Sequence, residues 1–249
     1  MSAAYDSIAP FYALEIADYD EDLEFYENLA RRTGGPVLEA GAGTGRVAHH
    51  LAAAGYQVTA VEESEAMLEI AREHPNRSVT LVRGEIQTFA SGVRFGLAIM
   101  AAGTFAHFAS RYHQREALGA IRGCLHPEGV VAIALQNPYL WALEDADGRV
   151  LFGWEKPGPR PGETARMSYS VETDHAAQVR RLSLWYDVAA PDGPVRRTSA
   201  AFDLHWTYRG ELELLLESCG FTPDGCYGSF DLDPYQSTSP HLIVVARKV

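Results

Sequence analysis

In the run Glu39-Ala40-Gly41-Ala42-Gly43-Thr44-Gly45-Arg46, an acid precedes glycines at every second position. Glycine tolerates the positive φ of a sharp turn, and its missing Cβ lets the backbone approach a bound molecule closely. Val37-Leu38 before the run reads as a buried strand, and Val47, Ala48 and Leu51 after it as a helical stripe, so the glycines occupy a strand-to-helix junction. A dinucleotide fingerprint requires a third glycine or alanine where Arg46 stands, which disfavours a nicotinamide-dependent oxidoreductase. A second acid, Glu62, ends the next strand, where a carboxylate can accept hydrogen bonds from both hydroxyls of a ribose.

His107 follows the fourth apolar strand and is the best single candidate for a proton acceptor, because an unperturbed imidazole titrates near pH 6.5. A structural histidine is the alternative at that position. Metal chemistry finds little footing: no acidic cluster has convincing ligand spacing, and the adjacent His49 and His50 lie about 100° apart on a helix, poor geometry for one ion. Cys124, Cys219 and Cys226 are odd in number and lack C-x-x-C spacing, which reads as reduced, partly buried thiols.

The elements that must position these groups alternate. After an amphipathic helix over Asp20 to Arg32, strands are expected at Val37–Ala40, Gln57–Val61, Val79–Val82, Phe95–Ala101 and Val130–Leu135. Helices fall between them, one capped by Ser64 and one running from Ser110 to Leu125. A last helix from Arg209 to Cys219 and strands near Cys226–Phe230 and His241–Arg247 complete seven strands. This is the pattern of an α/β fold with a doubly wound, mostly parallel sheet. Between them, strict alternation around Ala165–Val171, Leu182–Val188 and Thr198–Trp206 predicts three antiparallel strands, the last two joined across Pro191-Asp192-Gly193-Pro194. The expected organisation is an N-terminal helical lid over 1–35, a Rossmann-like core over 36–138, an antiparallel β insert over 139–207, and the closing helix and strands over 208–249.

The chain has 249 residues, room for one α/β domain with a small insert. A net charge of -12 opposes binding to a phosphate backbone, so the expected partner is a small neutral or cationic molecule and not a nucleic acid. The first twenty residues carry Asp6, Glu15, Asp18 and Asp20, unlike a signal peptide, and no apolar run of membrane-spanning length occurs. The reading is a cytoplasmic chain with no membrane association.

With its acid-glycine loop, Glu62 and strand order, the sequence resembles the class I S-adenosylmethionine-dependent methyltransferases over nearly its whole length. The resemblance implies that Glu39, Gly41, Gly43, Gly45 and Arg46 cradle the methionine and ribose parts of S-adenosylmethionine, and that Glu62 with Glu63 holds the ribose. It further implies that Met67 packs on the adenine, that Glu85 takes the place of the family's usual Asp against the adenine amino group, and that Ile86 follows with a backbone N–H. Ala101 to Phe108 matches the loop under the reactive methyl, which makes Ala101 a cofactor contact and Phe105 and Phe108 acceptor contacts.

The lead-in Tyr5-Asp6-Ser7-Ile8-Ala9-Pro10-Phe11-Tyr12 resembles the Y-D-x-x-A-x-x-Y segment that folds over the cofactor in small-molecule methyltransferases. Tyr5 and Tyr12 are thus catalytic candidates beside His107, with Tyr12 also touching the cofactor. The β insert resembles in layout that of amine and amino-sugar N-methyltransferases; Asn137, Tyr139, Trp141 and Tyr169 are expected to line an acceptor pocket, the insert aromatics alternatively forming a homodimer or higher oligomer contact. The implied activity is methylation of a small amine without a metal, leaving S-adenosylhomocysteine. O-methylation and non-catalytic binding of the cofactor stand as alternatives.

Overall fold

A computed structural model describes residues 2–139, 148–190 and 193–249. Helices α1 (Ser2–Ile16) and α2 (Leu23–Thr33) precede the alternating core of β1 (Val37–Ala40), α3 (Arg46–Ala53), β2 (Val58–Glu62), α4 (Glu65–Arg72), β3 (Val79–Arg83), β4 (Phe95–Met100), α5 (Arg111–Cys124) and β5 (Leu125–Gln136). Then come β6 (Val150–Pro157), β7 (Thr164–Asp174), β8 (Val179–Ala189) and β9 (Arg196–His205), followed by α6 (Arg209–Ser218), β10 (Phe221–Tyr227) and β11 (His241–Lys248).

The larger sheet has seven strands in the order β10-β11-β5-β4-β1-β2-β3. Its central pairs are parallel, and β11 alone runs against the other strands, pairing antiparallel with β5 and with the edge strand β10. Every residue of β1 and β4 is buried, as expected where both faces of a parallel sheet are covered. Alternation along β4 divides the core: Ala98 and Met100 pack with α5 and α6, Leu97 and Ile99 with α2 and α3. The order reverses between β1 and β4, one progressing to β2 and the other to β5, and a crevice opens beyond the strand ends at that reversal. The glycine loop after β1 and the segment after β4 therefore lie side by side.

The smaller sheet has four antiparallel strands, β6-β7-β8-β9, one more than the alternation predicts. The additional strand, β6, is an edge strand that exposes Val150 and Phe152 and changes register between Phe152 and Trp154. Gly153 and Pro157 hide it from a reading by propensity, although a Cβ on Gly153 would fall 2.5 Å from Met167 Cε, which explains the glycine. The apolar face of β7, β8 and β9 is covered by α1, with Ile8 and Phe11 packed among Met167, Leu184, Tyr186 and Phe202. Strand β10 begins earlier than expected because Pro223, Asp224 and Gly225 are weak strand formers, placed by pairing with β11 across an irregularity at Pro223/Gly225. Pro191 and Asp192 of the expected turn lie outside the described residues. Among the described residues, no helix is long and apolar enough to cross a membrane.

Candidate active site

At the end of β1 the chain turns through three glycines with positive φ: Gly41 at +73°, Gly43 at +56° and Gly45 at +79°. At Gly41 the reason is contact with the segment after β4, since a Cβ there would sit 2.4 Å from Thr104 Cγ2. Thr104 fills that space with its hydroxyl donating to the carbonyl of Ala101 at 2.9 Å. Gly45 turns the chain into α3, leaving Gly41 and Gly43 to face the crevice.

Glu62, at the end of β2, ties the loop down. Its Oε2 accepts from the Gly43 N–H at 2.9 Å and its Oε1 from the Ser64 N–H at 2.8 Å. Burial raises this carboxyl above its ordinary value, against the lowering effect of those N–H groups. Ser64 caps α4 as expected, accepting from the Met67 N–H, and its own hydroxyl donates to Asp6 Oδ1 at 2.6 Å. The N–H of Ala66 also reaches Asp6, so α1 is pinned to the start of α4 beside Glu62. This role of Asp6 was missed from the sequence, although the residue stands in the recognised lead-in motif.

Glu39 is 2% exposed, and its Oε2 has no hydrogen-bond partner in the structure. Burial pushes its carboxyl up to about 8, with the Arg46 guanidinium the largest opposing influence. Arg46 is itself committed elsewhere: it grips both oxygens of Asp22 at 2.6 and 2.7 Å and donates to the Tyr19 carbonyl at 3.1 Å. Asp22 is fully buried and carries no motif that would have marked it.

These groups surround a cavity of about 950 Å³ of empty space, counting its open mouth. Glu39, Gly41, Gly43, Arg46, Glu62 and Glu63 line one part of it, and Met67, Glu85 and Ile86 another. Tyr5, Tyr12, Ala101, His107 and Phe108 also contribute to its wall. The structure thus brings together most of the residues singled out from sequence, from segments spread over a hundred positions.

Tyr5 and His107 meet at this wall, with the phenol oxygen 2.9 Å from Nε2 in a hydrogen bond between α1 and the turn after β4. Phe202 of β9 packs against both rings, at centroid distances of 4.6 and 5.7 Å. Burial holds the His107 imidazole down at about 4, so it is neutral near pH 7, against the expectation of an imidazole titrating near 6.5. Burial also pushes the Tyr12 phenol up to about 12 and the Tyr5 phenol well above its ordinary value.

A second cavity, of about 1120 Å³ of empty space, shares Ala102 and His107 with the first. Tyr19 and Glu21 between α1 and α2, Gln136 at the end of β5, Leu204 of β9, and Phe230 and His241 also line it. The acceptor residues expected from sequence lie elsewhere. Asn137 is fully buried, its amide reaching the carbonyls of Gln236, Ser237 and Ser239, with Tyr235 donating to its Oδ1. Tyr139 packs on Tyr208, Tyr169 joins the core between the insert and α1, and Phe105 is fully buried in the main core. Trp141 lies outside the described residues. Phe105 is expected from the loop match after the fourth strand and the insert aromatics from the insert's layout, whereas the cavity wall is built from segment ends that only folding gathers. Among the described residues, no three His, Cys, Asp or Glu side chains gather closely enough to hold a metal ion.

Residues 37–129, from β1 into β5, match the family model described as a methyltransferase domain. The chain is an S-adenosylmethionine-dependent methyltransferase. It is 26% identical over 219 residues to the cypemycin N-terminal methyltransferase of a Streptomyces species, which spans 86% of this chain and 84% of that one. Among solved structures, the CcbJ methyltransferase of Streptomyces caelestis is 25% identical with a TM-score of 0.77, covering 98% of this chain and 99% of its own. The fold is also that of the S-adenosylmethionine-bound amino pentose methyltransferase CalS10 of Micromonospora echinaspora, involved in calicheamicin biosynthesis, at 22% identity and a TM-score of 0.69 over 99% of this chain and 95% of that one.

Proposed function

We propose that this methyltransferase transfers a methyl group to the nitrogen of a small-molecule amine, with the cofactor in the first cavity and the acceptor in the second. The single observation that carries the reading is the Tyr5–His107 pair where the two cavities meet. S-adenosylmethionine supplies an electrophilic methyl group on a sulfonium, and the chain's residues have to hold the acceptor in line with it. A hydroxyl acceptor has to surrender its proton to a base during attack. Near neutral pH an imidazole held at about 4 is a weak base, and the two phenols, Tyr12 pushed up to about 12 and Tyr5 well above its ordinary value, remain protonated. A neutral amine attacks through its lone pair and needs no such base. The Glu21 carboxylate in the second cavity adds an electrostatic preference for an amine arriving as its cation, which gives up its proton to solvent before it attacks as the neutral base.

The first cavity fits the cofactor in chemistry as well as size. The unpaired, buried Oε2 of Glu39 suits the cationic ammonium of the methionine part. Glu62 retains lone pairs for the ribose hydroxyls after accepting the Gly43 and Ser64 N–H groups, and Met67 offers a polarizable thioether to the adenine face. The N-terminal methyltransferase relative, whose name places its methyl group at an N-terminus, supports an amine acceptor.

The test is to incubate the purified protein with S-adenosylmethionine and matched panels of small amines and alcohols, following S-adenosylhomocysteine and methylated product. Transfer to amines is expected. Transfer confined to hydroxyl acceptors would overturn the amine reading while leaving the methyltransferase assignment intact.

A further inference from the structure

Asp22 immediately precedes α2, where an aspartate side chain ordinarily accepts free N–H groups of the first helical turn. Its carboxylate makes no such bond. It is completely buried, and a buried carboxylate is tolerated only when its oxygens are well paired. Arg46 provides that pairing in a two-pronged geometry, and also bonds the Tyr19 carbonyl. Its guanidinium carbon stands 4.8 Å from the centre of the Tyr19 ring. One side chain therefore holds the segment from Tyr19 to Asp22 by a carboxylate, a carbonyl and a ring face.

The two ends of this arrangement belong to different cavities. Arg46 follows Gly45 directly and lines the first, whereas Tyr19 and Glu21 line the second. The guanidinium is only partly screened from solvent, with 17% of its side chain exposed, while Asp22 has none. Filling the first cavity removes water from the exposed side of the ion pair and immobilises the start of α3, and both effects strengthen a pairing already in good geometry.

We propose that Arg46 is a positioning residue for the acceptor site: occupancy of the cofactor cavity is transmitted through the Arg46–Asp22 pair to the segment Tyr19–Asp22, which becomes the ordered wall of the acceptor cavity. The proposal rests on the reading that the first cavity binds S-adenosylmethionine. Its consequence is ordered binding, cofactor before acceptor. Arginine is required because lysine retains the charge but lacks the planar fork that engages both oxygens.

Amide hydrogen exchange with and without S-adenosylhomocysteine tests this directly, in the parent and in Arg46→Lys and Asp22→Asn. The reporters are the N–H groups of Tyr19, Leu23 and Tyr26, bonded to the carbonyls of Ile16, Asp20 and Asp22. In the parent, the ligand is expected to slow exchange at least tenfold both in residues 41–46 and in residues 17–26. With ligand raised to saturation for each protein, slowing in either variant is expected to persist in 41–46 and vanish in 17–26. A merely structural role would loosen 17–26 equally with and without ligand, so ligand-induced slowing of that segment in both variants as in the parent overturns the proposal. So does a parent whose segment 17–26 ignores the ligand while 41–46 responds. Absence of slowing everywhere, including 41–46, would instead remove the cofactor reading, and the proposal with it.

Discussion

Replacing Glu39 by glutamine isolates what the buried acid contributes to cofactor binding. With its carboxyl at about 8, only about one molecule in ten carries the ionised form at pH 7. An ammonium docking on the unpaired Oε2 requires that ionised form, so binding at pH 7 has to expel close to one proton. The dissociation constant for S-adenosylhomocysteine is therefore expected to fall about tenfold from pH 6 to pH 7 and to level off near pH 8, as the free acid ionises by itself. Glutamine forfeits a charge-assisted hydrogen bond worth about 1.5–3 kcal/mol, which is a loss of roughly 10- to 100-fold in affinity at pH 8. It also abolishes the pH dependence. Without ligand the sign reverses: the native parent holds a proton from about pH 4.5 to about 8 that the unfolded chain releases, so its stability falls as pH rises through that window, by up to about 1.4 kcal/mol per pH unit. The glutamine variant lacks this slope. Calorimetric titrations at several pH values, in phosphate and in Tris, give both the affinity and the number of protons released. A parent affinity flat in pH, or an unchanged slope in the variant, would refute the reasoning.

Gly41→Ala should destabilise by about 2–5 kcal/mol, combining positive φ with a Cβ driven into Thr104, whereas Gly43→Ala, whose Cβ would meet only Tyr12 Cε1 at 3.6 Å, should cost about 1–2 kcal/mol. Denaturant midpoints measure the difference, and Thr104→Ala should restore part of the loss at Gly41 alone. Tyr5→Phe is expected to lower turnover about tenfold while changing cofactor affinity by less than about threefold, because it removes one hydrogen bond at the meeting of the cavities. The parent's pH–rate profile should show no limb near 6.5 from His107; such a limb would mean that the imidazole is not held down by burial. Asn137→Asp replaces the amide donor that faces three carbonyls with a carboxylate oxygen and should destabilise by about 3–5 kcal/mol, seen as an earlier unfolding midpoint; parent-like stability would mean that the amide does not hold the 236–239 loop.

The features legible in the sequence were those with a local cause. The glycines at 41, 43 and 45 are demanded by backbone conformation, Ser64 by the unpaired N–H groups of a helix start, and the apolar runs of β1 (Glu39 aside) and β4 by burial on both sheet faces. Each shows in a window of a few residues. Strand β6 escaped because Gly153 and Pro157 contradict strand propensity, and only pairing with β7 supplies the reason for them. Asn137 looked like a ligand-binding amide and proved to be the clamp of a loop a hundred residues further on.

The sequence alone placed the glycine turn beside Glu62, because a strand end, a glycine turn and the next strand's terminal acid are adjacent once parallel β1 and β2 pair in register. Folding alone built the second cavity, the one proposed for the acceptor, whose wall draws on Tyr19, Gln136, Leu204, Phe230 and His241 from five separate segments. It also decided that Asp22 holds Arg46 instead of capping α2, and that Tyr5 meets His107. No local periodicity encodes such meetings; they follow from how α1 packs between the smaller sheet and the start of α4 and from which buried charges must be paired once water is gone.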